Sequence, residues 1–203
     1  MDARIAVLAS GSGTNLQALL DDPVVGPWIA LVLSDRPDAY ALERARSRGV
    51  EAVVVLPADH PDRASYDRAV RELLEQRGIE YVLLAGFMRI IGSEVVGPYA
   101  GRMLNVHPAL LPSFPGAHAV ADALAWGVQV TGVTVHLVDE EVDHGPIVAQ
   151  EAVPVRPDDD RDSLEARIHE VEHRLFPSAA RGLVEGRLKI EGRVVHILEG
   201  TDD

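Results

Sequence analysis

Arg4-Ile5-Ala6-Val7-Leu8-Ala9-Ser10-Gly11-Ser12-Gly13-Thr14-Asn15-Leu16-Gln17-Ala18-Leu19-Leu20 places a strand, a turn and a helix end to end. The aliphatic run Arg4–Ala9 has strand length, the serine-glycine punctuation ends it, and Asn15–Leu20 has helix-forming composition. The same alternation continues along the chain. Apolar runs at Trp28–Leu33, Val50–Leu56, Ile79–Ala85 and Arg102–Val106 are spaced by the helix-like Ala39–Arg48 and Ala64–Arg77, each followed by a glycine, Gly49 and Gly78. Strands alternating with helices of this length predict right-handed βαβ units, and hence an α/β protein with a Rossmann-like, doubly wound, mostly parallel sheet.

The second half breaks this rhythm. After a helix-like Ala117–Trp126, the β-rich runs Gln129–Val138 and Ile147–Val155 are joined through an acidic loop, which predicts an antiparallel extension of the sheet. Ser163–Leu175 is helical in pattern with Pro177 interrupting it, and Lys189–Leu198 predicts a hairpin around Glu191-Gly192. With no repeat or linker, residues 1–203 read as one domain, in which 1–100 form a phosphate-binding half and 101–203 a catalytic half.

Composition narrows the function. A net charge of -13 argues against nucleic-acid and membrane-surface partners, because neutralising phosphate takes clustered Lys and Arg. Small-molecule substrates fit better. The absence of cysteine leaves no disulfide or thiolate chemistry, and no leader or bilayer-length apolar run is legible, so a soluble cytoplasmic chain is expected.

Three segments could carry chemistry. Gly11-Ser12-Gly13-Thr14-Asn15 lies where a strand meets a helix, so close backbone approach and exposed N–H groups favour phosphate there. The plainer reading is that many such turns need glycine for geometry alone. The turn is neither a P-loop nor a complete Gly-x-Gly-x-x-Gly, since Leu16 takes the last position. Asn105-Val106-His107-Pro108 emerges where ligands bind in open parallel sheets, and period-two geometry puts Asn105 and His107 on one side. An amide donor and an imidazole suit a developing oxyanion and a proton transfer, although a histidine before proline also serves as a loop residue. Asp143, on the loop Asp143-His144-Gly145-Pro146, is a carboxylate that could orient a catalytic histidine and favour its charged form. His107, His118, His136 and His144 crowd the centre and raise a zinc alternative, but no spacing matches a compact ligand pair, so no metal is expected. His136, on an apolar strand, reads equally as a hydrogen-bonded core residue. Arg63 and Arg89 are isolated cations, and Asp158-Asp159-Asp160 precedes and caps a helix.

Together these pieces resemble the phosphoribosylglycinamide formyltransferases of purine synthesis. The resemblance rests on Leu8 to Gln17, Ala85-Gly86-Phe87-Met88-Arg89-Ile90, Asn105-Val106-His107-Pro108 with Leu110-Leu111-Pro112, Pro115-Gly116-Ala117-His118, and Val135-His136-Leu137-Val138 with Asp143. Asn-x-His-Pro with the later Asp marks the wider group of folate-dependent formyltransferases and hydrolases. Methionyl-tRNA formyltransferases differ by an Arg-Gly where Pro115-Gly116 stands and by an added C-terminal domain; the hydrolases usually carry an N-terminal regulatory domain. The resemblance implies 10-formyltetrahydrofolate as co-substrate and glycinamide ribonucleotide as acceptor, in a monomer or homodimer. It also implies Asn105, His107 and Asp143 as catalytic, and Gly11, Ser12, Gly13, Thr14, Asn15 and Glu172 as ribonucleotide contacts. Arg63, Met88, Arg89, Ile90 and Ile91, with Asn105, are implied as folate contacts, and His118 and His136 as supporting groups. The chain departs from the family pattern at His144, where a smaller residue is common, and at His169, where glutamine is common.

Overall fold

A computed structural model describes residues 3–198. The chain divides into two compact units, Met1–Leu104 and Asn105–Asp203.

The first unit carries β1 (Ile5–Leu8), α1 (Thr14–Asp21), β2 (Ile29–Ser34), α2 (Tyr40–Ser47), β3 (Glu51–Val54), α3 (Arg63–Gln76), β4 (Tyr81–Leu84) and α4 (Ser93–Val96). Its strands run parallel in the order β3-β2-β1-β4. Ile5, Ala6, Val7 and Leu8 are all buried, as a strand covered on both faces requires. α3 begins in a capping box: Asp62 accepts the Ser65 N–H at 2.7 Å while the Ser65 hydroxyl faces the Asp62 N–H. The short α4 has no counterpart in the expected pattern, because one helical turn carries no periodicity to read.

β5 (Met103–His107) begins at the end of the first unit and continues into the second. Asn105 and His107 therefore lie within the strand, which reaches one residue further than the expected Arg102–Val106. The second unit continues with α5 (Ala119–Trp126), β6 (Val130–Leu137), β7 (Ile147–Pro154), α6 (Arg161–Val184), β8 (Leu188–Glu191) and β9 (Val194–Ile197). β6 and β7 are antiparallel from Val130↔Pro154 to His136↔Ile147, β9 joins β7 in parallel at Ile147↔Val194, and β8 pairs antiparallel with β9. The α/β class, the parallel Rossmann-like first half and the antiparallel C-terminal extension are as the sequence predicts.

One boundary is corrected. Pro177 does not interrupt the last helix; it lies buried inside α6, which runs unbroken to Val184. An internal proline removes one helix bond and costs about 3 kcal/mol. Ala179, Ala180, Leu183 and Val184 continue the buried face of Phe176 past it, and their burial outweighs that cost.

Candidate active site

In the second unit, β5, β6 and two loops converge on one carboxylate. Asn105 Nδ2 donates to Asp143 Oδ1 at 3.3 Å, the Gly116 N–H donates to Asp143 Oδ2 at 2.7 Å, and His107 Nδ1 lies 3.4 Å from the same Oδ2. His136 Nε2 stands 3.6 Å from Oδ1. The period-two placement of Asn105 and His107 is observed, since both side chains reach Asp143.

The proton positions follow from the carbonyls. His107 Nε2 donates to the Phe114 carbonyl at 2.8 Å, so its Nδ1 carries a proton only when the ring is charged. His136 Nδ1 donates to the Leu137 carbonyl at 2.8 Å, which leaves Nε2 to accept from Asn105 Nδ2 at 3.1 Å. His136 is thus a hydrogen-bonded core residue that also orients the Asn105 amide.

Burial decides the charge of His107, which is only 4% exposed. Desolvation pushes its imidazole below the ordinary value; the Asp143 carboxylate and the Phe114 carbonyl pull it up, and His136 pulls it down, with a net lowering. The expectation of a histidine held cationic by Asp143 is corrected to this extent: Asp143 acts in the expected direction, and burial outweighs it. Burial would raise the Asp143 carboxyl as well, but the His136 ring facing Oδ1, the bond from the Gly116 N–H and the nearby His107 bring it below its ordinary value.

Backbone strain gathers at the same place. Among the described residues outside glycine, positive φ occurs at Phe114 (52°) and Asp143 (51°), and both touch His107. Such conformations cost about 1–3 kcal/mol each and persist where the surroundings fix them, commonly at functional sites. Behind them a knot around the buried Thr134 hydroxyl holds the segment after β5. The Thr134 hydroxyl donates to the Ala109 carbonyl at 2.7 Å and accepts the Leu111 N–H at 3.1 Å, while Gln150 Nε2 reaches Thr134 Oγ1 and the Leu111 carbonyl, each at 2.9 Å. Sequence reading missed Thr134 and Gln150, since a single polar residue in a strand gives no local signal.

Elsewhere in this unit, Glu172 is buried on α6 with His169 Nε2 3.9 Å from its carboxylate, and His118 is an exposed residue just before α5. Among the described residues no group of three or more His, Cys, Asp or Glu could hold a metal, and no helix is long and apolar enough to cross a membrane.

In the first unit the glycine turn is built by its main chain. Gly13 has φ +70° and precedes α1, whose first turn leaves N–H groups without helical partners. The Gly11 carbonyl accepts from Ala41 N–H at 3.1 Å and the Ser12 carbonyl from Arg44 Nε at 2.8 Å, so α2 engages the carbonyl side of the turn. Gly11 and Ser12 are exposed, Thr14 is half-buried and Asn15 is buried. Ser10 ties this turn to the next: its hydroxyl donates to Asp35 Oδ1 at 2.6 Å and accepts the Met88 N–H at 2.9 Å. Met88, Arg89 and Ile90 are exposed, Ile91 is buried, and the Arg89 guanidinium lies 5.2 Å from the centre of the Tyr66 ring. Asp67, which sequence reading also missed, joins the remaining members. Buried on α3, it accepts the Gly92 N–H at 3.0 Å and pairs with Arg63 Nε at 3.5 Å, and its burial raises its carboxyl above the ordinary value.

Residues 3–180 match the family described as Formyl transferase. The chain belongs to the formyl transferase family. It is 46% identical over 194 residues to a phosphoribosylglycinamide formyltransferase of Mycobacterium tuberculosis, covering 94% of this chain and 89% of that protein. A crystal structure of glycinamide ribonucleotide transformylase 1 from Symbiobacterium toebii is similar at a TM-score of 0.94 and 50% identity, covering 97% of this chain and 94% of that one. The trifunctional purine biosynthetic protein adenosine-3 of Drosophila melanogaster is 43% identical over 196 residues, and this formyl transferase spans 14% of its length.

Proposed function

We propose that this formyl transferase moves the formyl group of 10-formyltetrahydrofolate to the amine of 5'-phosphoribosylglycinamide, yielding formylglycinamide ribonucleotide and tetrahydrofolate in de novo purine biosynthesis. The observation that carries the reading is the buried meeting of Asn105, His107 and His136 around Asp143. The likeness to phosphoribosylglycinamide formyltransferases supports the choice of acceptor.

The amine nitrogen attacks the formyl carbon, forming the new C–N bond and a tetrahedral oxyanion. Asn105 Nδ2 donates to that oxyanion by giving up its 3.3 Å bond to Asp143, the longer of its two, while His136 keeps the amide oriented. Before the reaction His107 is mainly neutral, because burial lowers its pKa. It can therefore accept the proton that the attacking nitrogen must lose, at the moment when the Asp143 carboxylate stabilises the resulting imidazolium. The same proton then goes to N10 of the folate as the C–N10 bond breaks. One proton crosses from the amine to the leaving nitrogen, directly or through water, and His107 returns to its starting state. Alignment of the two substrates adds to this, since effective molarities can be large.

In this reading Gly11, Ser12, Gly13, Thr14 and Asn15 bind the 5'-phosphate at the start of α1, and Glu172 takes the ribose hydroxyls. Arg63, Met88, Arg89, Ile90 and Ile91 contact the folate, with Asn105 at the formyl end, and His118 supports the site. The exposed Met88 and Ile90 beside two cations match a ligand with a flat ring and carboxylates. Residues 1–203 act as one formyltransferase domain without metal, as a cytoplasmic monomer or homodimer, which sedimentation and cell fractionation test. The deciding assay follows formylglycinamide ribonucleotide from 10-formyltetrahydrofolate with a chelator present, beside water and methionyl-tRNA as acceptors. Product with the ribonucleotide alone is the expected result; formate release independent of any amine overturns it.

A further inference from the structure

The loop that carries Asp143 is gripped from a hairpin outside the catalytic cluster. Asp139, Glu140, Glu141 and Asp143 crowd carboxylates into one short loop, where like charges repel. Two anchors hold its ends. The Glu141 N–H donates to Asp139 Oδ1 at 3.0 Å, and at the far end Gly145 lies so close to the Leu137 carbonyl that a Cβ would come within 1.8 Å of the oxygen. Between these anchors Asp143 sits at φ 51°, so its carboxylate stays aimed only while the neighbouring peptides are fixed.

The carbonyl one residue beyond Asp143 belongs to His144, and it accepts from Arg193 Nη2 at 2.5 Å. The same guanidinium faces His144 Nε2 through Nη1 at 3.3 Å, and His144 Nδ1 donates to Asp139 Oδ2 at 2.8 Å. Arg193 thus holds the peptide that joins His144 to Gly145 and, through the His144 ring, the start of the loop. Its cationic head also offsets the loop's negative charge. The backbone puts it there: the parallel pair Ile147↔Val194 sets the residue before Val194 beside the segment leading into Ile147, and Gly192, at φ +61°, makes the turn between β8 and β9. The family match ends at residue 180, so this hairpin lies beyond the stretch by which the family is recognised.

We propose that Arg193 is a positioning residue for formyl transfer, fixing the His144 peptide and thereby holding the Asp143 carboxylate against His107 and Asn105. This rests on the reading of Asp143 as catalytic. The test uses the full chain with Arg193→Ala, Arg193→Lys and His144→Ala, reading kcat and KM alongside hydrogen exchange of the Gly116 amide, whose N–H is bound to Asp143 Oδ2. Arg193→Ala should lower kcat on the order of tenfold, the scale expected of a small misplacement. KM for both substrates should stay within about twofold, and Gly116 exchange should quicken. Arg193→Lys, which can still donate to the carbonyl, should recover most of both. His144→Ala keeps the carbonyl and should lose less than Arg193→Ala. Unchanged kcat, a change confined to KM, or a fall in kcat with Gly116 exchange unaltered each overturns the proposal. If Asp143→Asn itself leaves turnover intact, the catalytic reading of Asp143 fails, and Gly116 exchange in Arg193→Ala still decides whether the hairpin grips the loop.

Discussion

The glycine turn before α1 and the cluster around Asp143 are two ways of making a polar site. The turn uses main-chain groups from one contiguous stretch, Gly11 to Asn15, with its carbonyls engaged by α2. The cluster uses side chains from β5, β6 and two loops, and its properties come from burial. A site of the first kind is sensitive to an added Cβ and indifferent to most side-chain chemistry. One of the second kind is sensitive to a single charge, because desolvation and Coulomb attraction oppose each other at His107.

The largest effect expected from this contrast is at Asp143. Asp143→Asn keeps the shape and removes the charge, so turnover should fall about 10²- to 10⁴-fold, the usual worth of proton-transfer catalysis. Substrate binding should survive. The upward pull on His107 disappears while burial remains, so its NMR titration should move further below the wild-type midpoint. Equal titrations and turnover in the two proteins would make Asp143 a loop residue and erase the contrast.

Within the turn, two glycines separate fold from ligand. A Cβ at Gly13 would come within 2.8 Å of the Ala41 backbone, at positive φ, so Gly13→Val should cost about 1–3 kcal/mol by overpacking alone in urea unfolding. Gly11 faces open space, with nothing within 4 Å of an added Cβ. Gly11→Ala should therefore leave stability alone and weaken ribonucleotide binding by about tenfold, one misplaced contact's worth. Unaltered affinity in calorimetry would remove the phosphate from this turn.

Thr134→Val tests the knot behind the cluster. It removes the hydroxyl shared by Ala109, Leu111 and Gln150, and an unmet buried bond costs about 1–3 kcal/mol. Chemical denaturation should show that loss, with turnover falling in step if the segment after β5 shifts.

The smallest effect is in pH dependence, where Asp67 and the pair His107 and Asp143 have opposite signs. His107 has a lowered folded pKa, so the fold favours the neutral ring, and stability falls as pH drops below the unfolded value of about 6.5. Asp143, also lowered, adds a loss at more acid pH. Asp67 in the first unit is raised by burial, so its contribution improves on acidification. Urea unfolding between pH 7 and pH 4 should give Asp67→Asn a steeper acid loss than wild type and His107→Asn a shallower one. The reverse order would mean that burial does not govern these groups.

The parallel first half was legible because covered strands read as aliphatic runs, and Gly49 and Gly78 punctuate the helices between them. Asn105 and His107 were legible because a strand's period fixes which side they share. Asp143 could be singled out from the charge and glycine of its loop and from the family likeness. Thr134, Gln150, Ser10, Asp67 and Arg193 could not, since each acts on a segment far along the chain, and no local pattern marks a residue by its distant partner.

What the sequence alone determined is therefore local: periodicity set the elements, glycines the turns, and residue types the available chemistry. Tertiary structure decided what depends on environment. It carried α6 through Pro177 because a buried face continued beyond it, and it put Arg193 beside the Asp143 loop through one β7–β9 register pair. It also left His107 neutral rather than charged, because the strength of a carboxylate's pull is set by how much water the fold removes from around both groups.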